Sequence, residues 1–566
     1  MQRDLSGLAG MEFDVAIVGG GICGAAAAWD AAQRGLSVAL LERGDFGEAT
    51  SANSLKVTHG GIRYLQHLDL ARVRESSRER SALLRIAPHL VTPMPVLVPT
   101  FGHGMQGPEA LAAAFLLLNA VTWDRNRAIE GGSRIPRARL LSRAEALERC
   151  PEVDRPALSG AGLFWDGQLR NPPRLVWEFV RTAARAGAAV ANYCEVREVV
   201  RRGNRVIGVR ALDRLSDSEF DVRARVVINA AGPFAERLCL RSGIQPHPRI
   251  PLSRDLALVL ARRPGREEAL AVQTIYRDPD ALLSRGARHV FLVPWRDVTL
   301  VGVHSVIYRG DPDCLKVTAQ EVELFLDEVN LAAPWLSLQA SDVAMIYAGL
   351  LPIGAGDLVG TNVSFGKRAS VVDNGLTDSI DGLVTAVANR FTTARGVAER
   401  AVDLAGRKLG RSIPPSRTAA TPLYGAPSGS PAEAAHDVAR HAEGRLDPEV
   451  AEQLAQNHGS AWPQVLGLVR DEASLGETVG QSRTLRAEVV HAVREEMAQT
   501  LGDCIFRRTD IGTAGNPGQA TLRECAQLMA PDLGWSAVLQ ERELEEVYTR
   551  FPRRSGGAEL GWAQYP

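Results

Sequence analysis

The sequence is short of the features that define several common classes. It has seven cysteines in 566 residues, at positions 23, 150, 194, 239, 314, 504 and 525. No two stand in CxxC spacing, so neither a zinc ribbon nor a thioredoxin-type site is encoded, and no metal is expected. The odd count suits a reduced, cytoplasmic chain better than a disulfide scaffold. Charge of one sign is also missing: 65 Lys plus Arg against 66 Asp plus Glu give a net charge of −1. A general nucleic-acid binder needs a basic surplus to release counterions from phosphates, so no nucleic-acid partner is expected. A few local arginines can still build an anion site. The longest apolar run, 110–118, has nine residues, whereas a bilayer span needs about 20. The opening MQRDLSGLAGMEF lacks the apolar core of a secretory signal, and no internal repeat is evident. What the chain does have is 45% hydrophobic residues, enough to offset the entropy of ordering and exclude a wholly disordered protein. At about 150 residues per domain, its length suggests three or four domains, or fewer large ones.

The first strong element is FDVAIV at 13–18. This short β-branched run bounded by glycines reads as a buried parallel strand. Gly19-Gly20-Gly21-Ile22-Cys23-Gly24 follows, then an Ala-rich helix ending at Gly35 and a second strand, 37–41, that ends in Glu42. This is a β-α-β unit with GxGxxG at its turn. Gly19 permits the tight turn, Gly21 lets the backbone approach a pyrophosphate, and Gly24 lets helix and strand pack closely. The helix N-terminus turns its free N–H groups to the phosphates, and Glu42 stands where it can accept from a ribose diol. Dinucleotide binding is expected.

The closing strand of this fold lies far downstream. RVVINAA at 225–231 leads into Gly232-Pro233, and 188–200 and 205–212 alternate as strands before it. A dinucleotide fold interrupted in this way is typical of flavoproteins. The stretches 250–260 and 290–303, with a turn at 295–297, suggest an antiparallel sheet that covers a substrate. Segments 321–329 and 391–409 read as helical. A Pro/Ser/Gly-rich linker leads to helices at 433–443, 448–457, 462–468, 486–501, 519–529 and 535–551, a separate helical domain. Residues 74–84 read as a solvated amphipathic helix, and 111–121 as a core helix rather than a membrane-dipping one.

The segment TSANSLKVTHGGIRYLQ, 50–66, resembles the flavin-side segment of FAD-dependent glycerol-3-phosphate dehydrogenases. So do the opening β-α-β unit, PHLVTPMP at 88–95, Val293-Pro294-Trp295, YRGDP at 308–312 and the C-terminal stretch 487–512. The resemblance covers about 12–552. It implies an α/β fold with an α+β substrate subdomain: a Rossmann-like FAD-binding domain interleaved with an antiparallel-sheet substrate domain, plus a C-terminal helical domain. The interleaved part would span 12–412, with FAD parts near 12–85, 170–245 and 345–412 and substrate parts near 86–169 and 246–344. A linker, 413–431, and helices, 432–552, complete it. By position, Gly19, Gly21 and Gly24 would face the FAD pyrophosphate, and Glu42 with Arg43 the ribose. Thr50, Ser51 and Ser54 would line the flavin, Val196 the adenine, and Ala231 with Gly232 the phosphates. Phe391 and Thr392, opening a helix, would stabilise the reduced ring. Members of that group remove a hydride from a carbinol carbon and pass electrons to quinone or oxygen. The resemblance also allows a homodimer and a peripheral contact with the inner membrane surface.

The substrate side departs from that pattern. The arginine of a Ser-Gly-Val-Arg-Pro is here Leu351, and the histidine of a Lys-Gly-Ser-His falls at Ala257. A Gly-Thr-Thr-Asp is here Gly302-Val303-His304-Ser305, and a lysine and a tyrosine have become Arg390 and Ala394. Arg63, Tyr64, Arg368 and Arg390 remain to form an anion or polyol pocket, since arginine forks suit carboxylate and phosphate. His304 is the first candidate for general base and His59 the second. The expectation is an oxidoreductase of a small polar, anionic substrate with an altered phosphate site. A genuine glycerol-3-phosphate dehydrogenase and a non-catalytic flavin scaffold are the alternatives.

Overall fold

The computed structural model describes residues 1–104, 107–246, 251–262, 265–277, 287–353, 369–552 and 562–563. The β-α-β unit forms as strand Glu12–Val18, helix Ile22–Gln33 and strand Val38–Leu41. These strands belong to a sheet in the order Ser370–Asp373, Leu383–Val387, Ser218–Asn229, Glu12–Val18, Val38–Leu41, Ala189–Ala191. The last five strands of this order run parallel, and Ser370–Asp373 is antiparallel to its neighbour. Both faces are covered, so Val15, Ala16 and Ile17 have no exposed surface, as continuous apolar runs in a parallel sheet require. The expected strand 188–200 divides into Ala189–Ala191 and Cys194–Arg202. It breaks where Asn192 donates to Asp45 and to the Met497 carbonyl and Tyr193 takes a positive φ of 56°.

A second sheet, largely antiparallel, has the order Val343–Pro352, Leu252–Leu260, Val298–Tyr308, Ala287–Trp295, Ala269–Arg277, Val91–Phe101, Leu158–Leu169, Val57–Thr58. Strand Val343–Pro352 pairs with Leu252–Leu260 over its length. The boundary expected at 345 therefore falls inside a strand of this sheet. Helix Ala319–Ala332 packs on the outer face through Val322, Phe325 and Val329.

Two helices differ from expectation. Leu70–Ile86 is not solvated: Ser76, Glu79, Arg80 and Leu83 are buried. Its charges are matched at a distance, Glu79 by Arg395 (2.9 Å) and Arg80 by Asp166 (3.1 Å). Pro108–Val121, expected in the core, buries only Phe115 completely, and Leu116 is 74% exposed, as is nearby Trp123. Among the described residues no helix is long and apolar enough to cross a membrane.

The linker packs against the first domain. Ser416 bonds to Asp30, and the Leu423 and Gly425 N–H groups donate to the Ile86 carbonyl and Glu178. The C-terminal helices form at Pro431–His441, Pro448–His458, Trp462–Asp471, Arg486–Glu496, Gln519–Leu533 and Ala537–Thr549. The fourth stops five residues early because Arg508 takes the Glu496 carbonyl and Asn192 that of Met497. Buried ion pairs join the helical domain to the first domain: Asp45 with Arg507 and Arg508, each at 2.7 Å, and Arg174 with Glu496 at 2.5 Å. His458, His491 and Glu496 cluster beside the latter. Arg174 donates to His458 Nδ1 at 3.0 Å and to both Glu496 oxygens, so a guanidinium cation already faces two of these three residues.

Candidate functional site: a cavity between the two sheets

A cavity of about 660 Å³ runs from the glycine turn to the second sheet, within the roughly 300–1,000 Å³ usual for small-molecule and cofactor sites. At the turn, Gly19 has φ +100°, and a Cβ there would lie 2.8 Å from the Ala230 carbonyl. A Cβ on Gly24 would meet the Gly19 oxygen at 1.8 Å. Both positions admit only glycine, and so leave helix Ile22–Gln33 pointing its N-terminus into the cavity. Glu42 accepts from the Gly20 and Gly44 N–H groups at 2.6 and 2.9 Å. Burial raises its pKa, partly offset by those two donors.

Of the residues expected at the cofactor, Gly19, Gly21, Glu42, Arg43, Thr50, Ser51, Ser54, Val196, Ala231, Gly232, Phe391 and Thr392 all line the cavity. Gly24 lies just behind the wall, where it allows the close packing just described. The 50–54 segment is fixed at both ends: Ser51 Oγ accepts from the Ile22 N–H (3.1 Å), and Thr50 donates to the Leu350 carbonyl (2.8 Å). Helix Ala394–Lys408 begins three residues later than expected, so Phe391 and Thr392 form the turn before it.

The substrate-side candidates divide. His59 and Arg390 line the cavity; His304, Arg63 and Tyr64 do not. Arg368 lies outside the described residues. His304 faces the opposite side of its strand, with Nδ1 3.4 Å from Glu328 and its ring 5.4 Å from Phe325, under helix Ala319–Ala332. Its neighbour Val303 is on the cavity wall, and successive strand residues point to opposite faces. Tyr64 sits behind Arg390, whose guanidinium lies 5.0 Å from its ring. Arg63 stands near His289, whose pKa falls to about 4 through burial and the charge of Arg63.

His59 is tightly placed. Its backbone N–H donates to Thr392 Oγ1 (3.1 Å), and its Nδ1 is 3.2 Å from Asp166 Oδ2. Asp166 is buried, and burial alone would raise its pKa. The bond to His59, Arg80 and the Gly60 N–H instead hold the carboxyl below its ordinary value.

Sequence reasoning missed several wall residues. Asp255 and Ala257 reach the cavity from strand Leu252–Leu260, whereas Arg254 turns away to Glu321 and the Lys316 carbonyl. Phe234 carries the Arg43 guanidinium 3.7 Å from its ring centroid, and Arg43 bonds to Asp313 (2.7 Å). Asn389 is 2% exposed, with neither Oδ1 nor Nδ2 bonded within the protein. Lys56, behind the wall, lies 3.7 Å from the Tyr347 ring centroid, and burial with Arg296 drives its pKa well down.

Glycines that cannot carry a side chain, a helix N-terminus, an acid at the second strand and a roof of antiparallel strands fit a dinucleotide whose ring lies under the second sheet. That is the architecture of a flavoprotein oxidoreductase. Residues 14–404 match the model of the FAD dependent oxidoreductase family, and 416–540 match the C-terminal domain of alpha-glycerophosphate oxidase. The chain belongs to the FAD dependent oxidoreductase family, and FAD is its cofactor. Glycerol-3-phosphate dehydrogenase of Synechocystis is 29% identical over 559 residues, covering 96% of this chain and 97% of that one. The mitochondrial glycerol-3-phosphate dehydrogenase of Mus musculus is 31% identical, covering 95% and 73%. The FAD-complexed glycerol-3-phosphate dehydrogenase from Bacillus halodurans superposes with a TM-score of 0.75 at 25% identity, covering 96% and 95%. The chain is thus an FAD-dependent oxidoreductase of the glycerol-3-phosphate dehydrogenase type.

Proposed function

We propose that the protein oxidises a carbinol carbon of a small polar, anionic substrate and that His59, not His304, takes the hydroxyl proton. Asp166 accepting Nδ1–H would leave the His59 Nε2 lone pair for that proton and would stabilise the imidazolium formed. Bound FAD supplies the hydride acceptor. Arg390 faces the anionic part of the substrate, with Tyr64 backing its guanidinium. The turn at Phe391–Thr392, at the start of helix Ala394–Lys408, offers N–H groups and the positive end of the helix dipole where charge arrives on reduction. Electrons then leave to quinone or oxygen. The exposed Leu116 and Trp123 offer a means of resting on a membrane surface.

The observation that carries the substrate reading is Leu351 on the cavity wall, where the resemblance calls for a phosphate-binding arginine. Asp255 on the same wall adds a carboxylate that opposes a phosphate dianion. The substrate is therefore a hydroxy compound whose anionic group is not placed as in glycerol 3-phosphate. The test is Leu351→Arg. If the reading holds, the variant binds glycerol 3-phosphate roughly 10- to 1,000-fold better than the parent protein. If the parent already saturates at sub-millimolar glycerol 3-phosphate and the variant is no better, the altered-site reading fails.

A further inference from the structure

Asp255 and Arg390 bring opposite charges to one cavity, and neither is neutralised among the described residues. Asp255 lies on strand Leu252–Leu260, on the face of Ser253, whose Oγ donates to its Oδ1 at 3.1 Å. Its Oδ2 has no partner among the described residues, yet it is not sealed off from a ligand. The cross-strand neighbours of Asp255 are Ser305 and Gly349, and Leu351 stands opposite Ser253. None of these carries a charge. The adjacent cation, Arg254, turns to the other face of the sheet, where Glu321 and the Lys316 carbonyl hold it. Arg390 gives Nη1 to Ser76 Oγ (3.1 Å) and rests 5.0 Å from the Tyr64 ring, with no carboxylate partner among the described residues.

An ionised group taken out of water without a counter-charge is costly, and the cost is recovered when a ligand supplies that charge. FAD cannot supply it to Asp255: its pyrophosphate is anionic and its oxidised ring is neutral. A pair of substrate hydroxyls could fill the Asp255 lone pairs but would leave its charge uncompensated. An ammonium group fills the lone pairs and cancels the charge together, as an anionic group does for Arg390.

We propose that the substrate is zwitterionic: a hydroxy compound whose ammonium group pairs with Asp255 while its anionic group meets Arg390. This deepens the altered-site reading above and rests on it. The test compares hydroxy acids with and without an ammonium group: isoserine against lactate, serine against 3-hydroxypropionate, and 4-amino-3-hydroxybutyrate against 3-hydroxybutyrate. Glycerol 3-phosphate is included as the reference. Anaerobic flavin reduction gives kcat/KM for the parent holoprotein and for Asp255→Asn, which is first matched to the parent in FAD content and melting temperature. In at least one pair the parent should favour the amino member by about tenfold or more. Asp255→Asn should lose that preference, falling on the amino member and gaining on its partner, from which a repelling carboxylate has been removed. No preference for the amino member in any pair would overturn the proposal, and so would a preference that survives Asp255→Asn. An equal loss on both members would overturn it as well, by giving the carboxylate to a hydroxyl. Reduction by sub-millimolar glycerol 3-phosphate ahead of all six acids would instead remove the altered-site reading on which the proposal stands.

Discussion

His59 Nδ1 lies 3.2 Å from Oδ2 of Asp166, a carboxylate only 3% exposed that also pairs with Arg80. The two residues are 107 positions apart in the chain and meet because strand Val57–Thr58 pairs with strand Leu158–Leu169. The pairing fixes which imidazole nitrogen is free to act as base. His59→Ala should slow flavin reduction roughly 10²- to 10⁴-fold while the FAD spectrum persists. Asp166→Asn should slow it about 10²-fold or more by presenting the wrong tautomer. Stopped-flow reduction under anaerobic conditions measures both. Unchanged rates in His59→Ala would end its candidacy. His304→Ala should reduce at the parent rate.

Gly24 has no room for one more carbon, since a Cβ would sit 1.8 Å from the Gly19 carbonyl oxygen. Gly24→Ala must push the helix from the strand and move its N–H groups off the phosphates. The purified variant should retain much less FAD than the parent, read from the ratio of flavin to protein absorbance. Full FAD content would show that the turn tolerates the shift.

Asp45 joins the two domains through Arg507 and Arg508, and its pKa is lowered from 3.8 to about 2. Burial would raise it, but the two guanidinium groups outweigh that. The folded value lies below the unfolded one, so this stabilisation is complete above about pH 4 and is lost as pH falls from 4 towards 2, by about 2 kcal/mol. Thermal unfolding should show the melting temperature dropping across that window. At pH 7, Asp45→Asn should destabilise by roughly 3–5 kcal/mol, because buried Arg508 loses its carboxylate and Arg507 keeps only Asp503 and Glu48.

Leu116 and Trp123, each 74% exposed, stand on or beside an apolar helix that buries only Phe115 completely. The double variant Leu116→Asp, Trp123→Asp should keep its fold and FAD yet bind anionic lipid vesicles less than the parent does in a flotation assay. Equal flotation, or none by the parent, would remove the membrane-surface reading.

The nucleotide half of the site was legible in the sequence because its requirements are local. A positive φ at Gly19, a missing Cβ at Gly24 and an acid after the second strand are all written within one β-α-β unit. The substrate half depends on which face of a strand a residue occupies. His304 looked catalytic by type, yet Val303 beside it takes the cavity face, and the register shift between Leu256 and Ala257 alters the alternation nearby. The charges of helix Leu70–Ile86 read as solvated because their partners stand far away in sequence: Glu79 pairs with Arg395, 316 positions on.

The most direct measurement is an anaerobic titration of the holoprotein's flavin absorbance with a panel of phosphorylated polyols, hydroxy acids and amino alcohols. Complete bleaching by at least one hydroxy compound is expected, with glycerol 3-phosphate needing a concentration roughly 10- to 1,000-fold higher. Complete bleaching by sub-millimolar glycerol 3-phosphate, ahead of every other compound, would contradict it.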